Sequence, residues 1–172
     1  MIDKKSLLKL FKEQNIIYNI FLHPPLFTVE ESKKMRGKIK GAHTKNLFLK
    51  NKKNDFFLFS CLESTTIDLK NIKKYLNLDR LSFAGEKYLK EILNLAPGAV
   101  TPFGLLNDTT NKVSFFLDEK LMQYNSLNFH PLDNASTINI DTNIFLSFMK
   151  NNMKLVKIID FDTYIIKNEQ YS

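Results

Sequence analysis

The chain has few of the residues that crosslink or interrupt a fold: one cysteine, five glycines and five prolines in 172 residues. It also has no tryptophan. A single cysteine, Cys61, excludes an internal disulfide and suits a reducing, cytoplasmic compartment. It lies in the apolar run 56–62, which favours a buried structural thiol over a nucleophile. The N-terminal segment has charges at helical spacing, so it predicts neither a signal peptide nor a membrane span.

Several catalytic signatures are also missing. The three histidines, His23, His43 and His130, do not have the i, i+4 helical spacing of a zinc protease. The single cysteine also has no cysteine partner with which to form a zinc site. The sequence contains no nucleophile elbow, no Walker phosphate loop and no dinucleotide fingerprint. It therefore predicts no metal and no cofactor.

The size and charge of the chain limit its class. A length of 172 residues with 44% apolar and 25% charged residues suits one globular domain, over residues 1–172. The net charge of +7 fits a polyanionic partner such as RNA. A general bias toward lysine in the composition explains the same charge equally well.

Hydrophobic periodicity and turn residues predict strands and helices without regular βαβ alternation. Strands are predicted at 16–22, 45–49, 56–62, 113–117, 136–140 and 155–161. Helices are predicted after the capping residues Asp3, Thr28, Asp68 and Asp141, and over 85–94. We expect an α+β fold, a single domain with a central mixed, barrel-like β-sheet flanked by helices.

The scarce glycines and prolines are concentrated in one place. Two of the five glycines and two of the five prolines fall in the stretch 97–104, directly after the predicted helix 85–94. Glycine lets a ligand approach the main chain, and proline fixes φ beside it. The stretch is the first candidate for a binding loop, with a stiff structural turn as the alternative.

Two further polar clusters lie at the predicted ends of elements, at residues 41–46 and 128–131. A lysine at the start of a strand, such as Lys45, can hold a phosphate or polarise a carbonyl. Each of these residues also has a structural interpretation when it is taken alone. Lys45 fits a solvated residue at a strand end, and His130 fits a hydrogen-bonded structural histidine. Phe103 fits a core residue that anchors its loop. Their joint occurrence favours a functional site.

At these clusters the chain resembles the YbaK-type prolyl-tRNA editing domains, and within them the free-standing bacterial proteins that deacylate alanyl-tRNA(Pro). The matching motifs are residues 23–31, 41–49, 80–84, 97–108 and 128–132. Their order and spacing hold from about Asn15 to Phe161. The resemblance implies an α+β fold and hydrolysis of the ester between a mischarged amino acid and the terminal adenosine of tRNA.

The resemblance also implies roles for individual residues. Lys45 matches the functional lysine of the family, Gly98 begins its Gly-x-x-x-Pro loop, and His130 matches its pocket histidine; these are the expected catalytic residues. The expected substrate-binding residues are Pro24, Phe27, Thr44, Asn46, Ala99, Val100, Thr101, Pro102 and Phe103. Ala99 stands where many relatives carry serine, so this chain has no hydroxyl to offer there.

The implied chemistry needs no strong nucleophile. An aminoacyl ester is already activated by its ammonium group and the vicinal ribose hydroxyl, so several kcal/mol of transition-state stabilisation is enough. We expect main-chain N–H groups around Gly98 to polarise the ester carbonyl, and Lys45 to anchor the terminal nucleotide. Rigid walls at Pro24 and Phe27 are expected to exclude proline by steric clash. Alternatively, these two residues only pack the entrance.

The expected partner is the acceptor end of tRNA(Pro) carrying alanine, with prolyl-tRNA synthetase as a further candidate partner. The basic residues beside the Thr28 capping box are expected to meet acceptor-stem phosphates, with a solvated basic face as the alternative. They are Lys33, Lys34, Arg36, Lys38 and Lys40. Two other functions stay open: a cysteinyl-tRNA(Pro) deacylase, and a non-catalytic module that binds tRNA or a synthetase.

Overall fold

One mixed sheet organises the computed structural model, which describes residues 1–25, 34 and 39–170. Within these residues nine strands pair in the order β1-β7-β6-β2-β3-β5-β8-β9, with β4 beside β2. The strands are β1 Tyr18–Leu22, β2 Ala42–Lys50, β3 Phe56–Leu62, β4 Ser82–Phe83, β5 Val113–Asp118, β6 Ser126–Phe129, β7 Ser136–Asp141, β8 Val156–Asp160 and β9 Ile165–Gln170. β2 pairs parallel with β6, β3 with β5, and β5 with β8; the other pairs are antiparallel.

The α+β prediction is confirmed, and the described strands form an open sheet with β1 and β9 at its edges. Helices flank it: α1 Lys4–Glu13, α2 Leu69–Tyr75, α3 Gly85–Tyr88 and α4 Thr142–Asn151. α3 continues as a π-helical turn over Leu89–Leu93, and 3₁₀ helices span Pro102–Asn107 and Glu119–Gln123.

The predicted helix starts are confirmed where the structure describes them. Asp3 accepts a hydrogen bond from the Ser6 N–H at 2.8 Å, and Asp68 and Asp141 cap α2 and α4 in the same way. Such caps satisfy main-chain donors that have no partner inside a helix. The helix predicted after Thr28 falls outside the described residues.

Two hydrophobic clusters cover the two faces of the sheet. The first contains Phe48 and Phe103, and the second contains Leu49 and Cys61 under α2. Successive side chains of a strand point to opposite faces of the sheet. Phe48 belongs to the first cluster and Leu49 to the second, so these two residues mark the two faces of β2. Lys45 lies on the face of Leu49, whereas Thr44 and Asn46 lie on the face of Phe48.

β2 changes its strand partner along its length. Ala42 and His43 pair with β6, and Leu49 and Lys50 pair on the same side with β4. Between these pairs, residues 44–48 meet no described strand on that side, although the Phe48 carbonyl accepts from the Ala84 N–H. Among the described strands, the sheet therefore opens between β2 and β6 just after the paired residues Ala42 and His43.

Candidate active site

Lys45 and His130 occupy corresponding positions on β2 and on the segment that follows β6. His43 pairs with Asn128 in the parallel register of β2 and β6. Lys45 follows His43 by two residues and His130 follows Asn128 by two, so both lie just beyond the paired segment. The Thr44 hydroxyl donates to the Asn128 carbonyl at 2.7 Å and fixes the two strands at this point.

His130 is placed to act as a neutral imidazole. Burial lowers its pKa from the ordinary 6.5, and the neighbouring His23 ring, with centroids 6.2 Å apart, lowers it further. Asp133 and a hydrogen bond with the Gly98 main chain act in the opposite direction. A neutral imidazole carries one donor and one acceptor nitrogen. His130 therefore links the β6 end to the glycine loop without adding a positive charge.

His23 is held firmly beside it. This buried ring contacts the Pro24 carbonyl through Nδ1 at 2.9 Å and the Thr137 hydroxyl through Nε2 at 3.0 Å. Pro24 itself is exposed. Phe27, the second expected wall residue, lies outside the described residues.

The loop opens with a tight turn at Gly98. The Ala99 N–H donates to the Ala96 carbonyl at 3.1 Å, and Gly98 has a φ of +85°. Proline at the second position and a positive φ at the third are the pattern of a type II turn. The turn uses the Ala99 N–H but not that of Gly98. Gly98 is exposed, so its main chain is accessible to a ligand.

The rest of the loop is packed into the protein. Ala99 and Pro102 are buried and Val100 is half-buried. Phe103 is fully buried, and its ring packs edge-on against Phe11 at 5.5 Å and Phe129 at 5.8 Å between centroids. Phe103 therefore supports the loop from the core, and its expected contact with the substrate stays a prediction.

Thr101 is an exception within this packed segment. It is 0% exposed, and its hydroxyl has no hydrogen-bond partner among the described parts of the chain. A buried hydroxyl without a partner costs free energy, so natural proteins rarely keep one without a use. Its position three residues after Gly98 makes it a candidate substrate contact.

Lys45 is held on the second face of the sheet. Its Nζ donates to the Thr65 carbonyl, and the Cys61 thiol donates to the Lys45 carbonyl at 3.6 Å. Burial raises the pKa of Cys61 to about 12, and the residue is a buried free thiol, as the sequence indicated. The Thr65 hydroxyl donates to Asp118 at 2.6 Å. The sequence singled out neither Thr65 nor Asp118, although each stands in a short polar run after an apolar strand, because only the fold joins them by a hydrogen bond.

The structure separates Lys45 from its sequence neighbours Thr44 and Asn46. Both neighbours lie on the opposite face, where the Ser60 hydroxyl donates to the Asn46 side-chain carbonyl at 2.5 Å. The expected grouping of Asn46 with Lys45 therefore holds along the chain but not on one face of the sheet. A substrate that meets both must therefore extend around the edge of β2 that no described strand pairs with over residues 44–48.

The basic segment is described only in part. Lys34 and Lys40 are exposed, whereas Lys33, Arg36 and Lys38 fall outside the described residues. The Lys40 carbonyl accepts from the side-chain amides of Asn128 at 3.0 Å and Asn139 at 2.9 Å. The end of the basic segment is thus tied to β6 and β7, beside the site.

Across residues 1–25, 34 and 39–170, no helix is long and apolar enough to cross a membrane. Over the same ranges, no three His, Cys, Asp or Glu side chains lie together in a way that could hold a metal ion.

Comparison with known proteins decides the family. A family model of the aminoacyl-tRNA editing domain matches residues 23–148, a span that includes Lys45, Gly98 and His130. The chain belongs to the aminoacyl-tRNA editing domain family. This membership confirms the resemblance seen in the motifs and the prediction of an editing enzyme.

Two relatives show how far the likeness of this editing domain extends. The prolyl-tRNA editing protein ProX of Acetoanaerobium sticklandii is 32% identical over 158 residues, which cover 91% of this chain and 96% of that protein. Prolyl-tRNA synthetase associated domain-containing protein 1 of Xenopus laevis is 38% identical over 145 residues, which cover 81% of this chain and 86% of that protein. The match includes most of each relative.

A solved structure supports the fold independently. The crystal structure of a proposed trans-editing enzyme for prolyl-tRNA synthetase superimposes with a TM-score of 0.69, covering 93% of this chain and 97% of the other. The two sequences are only 17% identical, so this likeness shows the fold alone. The α+β architecture is therefore shared.

Proposed function

We propose that this single editing domain is a trans-acting deacylase that hydrolyses mischarged alanyl-tRNA(Pro) and so proofreads prolyl-tRNA synthesis in the cytoplasm. The observation that carries the proposal is the contact of His130 with the main chain of the exposed Gly98, together with the positions of His130 and Lys45 just beyond the pairing of β2 and β6. The names of two relatives, a prolyl-tRNA editing protein and a prolyl-tRNA synthetase associated domain-containing protein, support a task in the editing of prolyl-tRNA. Prolyl-tRNA synthetase is a candidate partner.

The proposed chemistry is assisted hydrolysis of the ester. The Gly98 N–H, which the type II turn leaves unused, donates to the ester carbonyl oxygen as negative charge develops there. Water adds to the carbonyl carbon, the C–O bond to the ribose breaks, and the ribose oxygen takes the proton that the attacking water releases. The vicinal ribose hydroxyl is adjacent to that oxygen and assists the transfer. Free alanine and tRNA(Pro) are the products.

Lys45 and His130 fill different parts of this scheme. The Lys45 ammonium carries three donors, and among the described residues only the Thr65 carbonyl accepts from it, which leaves two donors for a phosphate or sugar oxygen of the terminal nucleotide. His130, kept neutral by burial, orients the Gly98 turn through its hydrogen bond. The site thus supplies positioning and partial charge rather than a nucleophile.

Selectivity for alanine is proposed to come from the size of the pocket. A synthetase site built for proline rejects a smaller amino acid only by about 1 to 3 kcal/mol for each missing methylene. A second site with rigid walls excludes the larger proline by steric clash. Ala99, Val100 and Pro102 belong to a packed segment, which supports such a rigid boundary.

The test is incubation of the purified protein with alanyl-, cysteinyl- and prolyl-tRNA(Pro), with loss of each ester followed over time. We expect rapid loss of alanine and retention of proline. Faster loss of cysteine would transfer the assignment to a cysteinyl-tRNA(Pro) deacylase. Retention of all three esters, with tRNA binding intact, would leave a non-catalytic binding module.

A further inference from the structure

Asp118 is a buried carboxylate at the end of β5 that the proposed chemistry does not use. It is 0% exposed. Its Oδ2 accepts from the Leu62 N–H at 3.1 Å and from the Thr65 hydroxyl at 2.6 Å, and its Oδ1 accepts from the Lys120 N–H at 3.0 Å. Hydrogen bonds to a buried charge are strong, so this carboxylate fixes its three donors in place.

Thr65 connects this carboxylate to Lys45. The Thr65 hydroxyl is bound by Asp118, and the Thr65 carbonyl accepts from the Lys45 Nζ. Burial raises the pKa of the nearby Cys61 thiol, Lys45 lowers it, and Asp118 contributes a further increase. The Lys45 ammonium and the Asp118 carboxylate therefore both lie close to the Cys61 sulfur. The path from Asp118 to Lys45 therefore consists of hydrogen bonds through a single residue.

We propose that Asp118 and Thr65 are positioning residues that hold the Lys45 ammonium group where it meets the terminal nucleotide of the bound aminoacyl-tRNA. This inference rests on the proposed function, because it adopts the role given there to Lys45. A lysine side chain loses much conformational entropy when a substrate fixes it. An acceptor already held by a buried carboxylate reduces that loss on binding.

The chain offers a matched control at the other end of β5. Asp108 is also buried, and its Oδ2 accepts from the Val113 N–H at 2.8 Å. Its main-chain carbonyl accepts from the Lys154 Nζ at 2.6 Å. Asp108 thus combines a buried aspartate with a lysine held by a main-chain carbonyl, as Asp118 and Thr65 do, but has no part in the proposed site.

The first experiment is a double-mutant cycle on single-turnover hydrolysis of alanyl-tRNA(Pro). We expect Thr65→Val and Asp118→Asn each to slow hydrolysis about tenfold in the wild-type background and to add nothing in Lys45→Ala. Thr65→Ser, which keeps the hydroxyl, should restore the rate. Asp108→Asn should have the same small effect in both backgrounds. Equal slowing by Thr65→Val with and without Lys45 would overturn the proposal.

The second experiment needs no activity. In protein with ¹³C-labelled lysine, the two ε-methylene protons of Lys45 should have distinct shifts, as in a fixed side chain, with the signal assigned by its loss in Lys45→Ala. Thr65→Val should merge them, whereas Asp108→Asn should not. Unchanged Lys45 signals in Thr65→Val would contradict the positioning role. Thr65→Val keeps the main chain and the side-chain volume, so it carries both tests even where Asp118→Asn does not fold.

The two readouts separate the two proposals. Wild-type protein that leaves alanyl-tRNA(Pro) intact, but whose Lys45 signals merge in Thr65→Val, would contradict the proposed function and support the positioning of Lys45. Hydrolysis by the wild type together with Lys45 signals indifferent to Thr65→Val would support the function and overturn the positioning role.

Discussion

Among single residues, Thr101 is the one at which stability and activity are expected to change in opposite directions. Its buried hydroxyl has no described partner, so Thr101→Val should raise the free energy of unfolding by about 1 kcal/mol. If the hydroxyl contacts the substrate, the same change should lower the deacylation rate about fivefold, the equivalent of one neutral hydrogen bond. Denaturant unfolding and single-turnover hydrolysis measure the two effects.

The control for this prediction is Thr142→Val. The Thr142 hydroxyl donates to the Tyr124 carbonyl at 2.5 Å, so the valine should lower stability and leave hydrolysis unchanged. A Thr101→Val protein that loses stability to the same extent would show that the Thr101 hydroxyl has a structural partner.

His130 predicts a pH dependence of stability. Burial and the neighbouring His23 lower its folded-state pKa below 6.5, so between these two pKa values the unfolded state binds a proton that the folded state does not. Stability should therefore fall as pH decreases through 6.5 toward the folded pKa. In His130→Gln this part of the pH dependence should disappear, as measured by urea unfolding at a series of pH values. An unchanged pH profile would contradict the lowered pKa.

The sequence indicated some of these residues and could not indicate others. Lys45, Gly98 and His130 stood out because polar or special residues interrupt apolar patterns at the ends of elements. Thr65 and Asp118 also stand at the ends of apolar runs, but the sequence did not connect them, since their importance comes from a hydrogen bond between residues 53 positions apart. Asn46 was grouped with Lys45 by adjacency, and the alternation of side chains along β2 separates them.

At the level of elements, the type II turn predicts the effect of a single methyl group. Gly98→Ala places a side chain at a φ of +85°, which costs roughly 1 to 2 kcal/mol. The added group also stands beside the N–H proposed to bind the ester, so the deacylation rate should fall more than tenfold, an effect of about 1.4 kcal/mol or more.

Gly85→Ala is the matched control for the turn. Gly85 has a φ of +79°, and nothing lies within 4 Å of the added carbon. It should lose a similar amount of stability while hydrolysing alanyl-tRNA(Pro) at the wild-type rate. Equal activity in the two variants would argue against a functional role for the Gly98 turn.

Element boundaries followed from local signals where those signals were strong. The aspartate caps correctly located the starts of α1, α2 and α4, because a cap acts within one turn of the chain. Strands β4 and β6 were missed since they contain only two and four residues. β9 was missed because the polar residues 167–170 occupy an edge strand, where alternation need not be strict.

For the whole molecule, the net charge of +7 predicts salt-sensitive binding of tRNA. Each phosphate contact releases counterions, so raising salt from about 50 to 200 mM should weaken binding steeply, about threefold for each contact. Filter binding at several salt concentrations measures the slope. Replacing the exposed Lys34 and Lys40 together by glutamine should reduce that slope. Binding that does not respond to salt would exclude the basic segment as the tRNA surface.

The order of strands in the sheet lay beyond sequence reasoning. The parallel pairing of β2 with β6 joins residues about 85 positions apart, and no local pattern specifies it. That pairing creates the opening beside Lys45 and His130. The fold class was therefore predictable from periodicity, whereas the shape of the site depends on long-range pairing.

The most direct test of the role of Lys45 compares single-turnover hydrolysis of alanyl-tRNA(Pro) by the wild type, Lys45→Ala and Lys154→Ala. Both lysines donate to a main-chain carbonyl, but only Lys45 lies at the opening. We predict that Lys45→Ala slows hydrolysis about 100-fold, through loss of the charged hydrogen bond that anchors the terminal nucleotide, while Lys154→Ala keeps the wild-type rate. Full activity in a folded Lys45→Ala protein would contradict it.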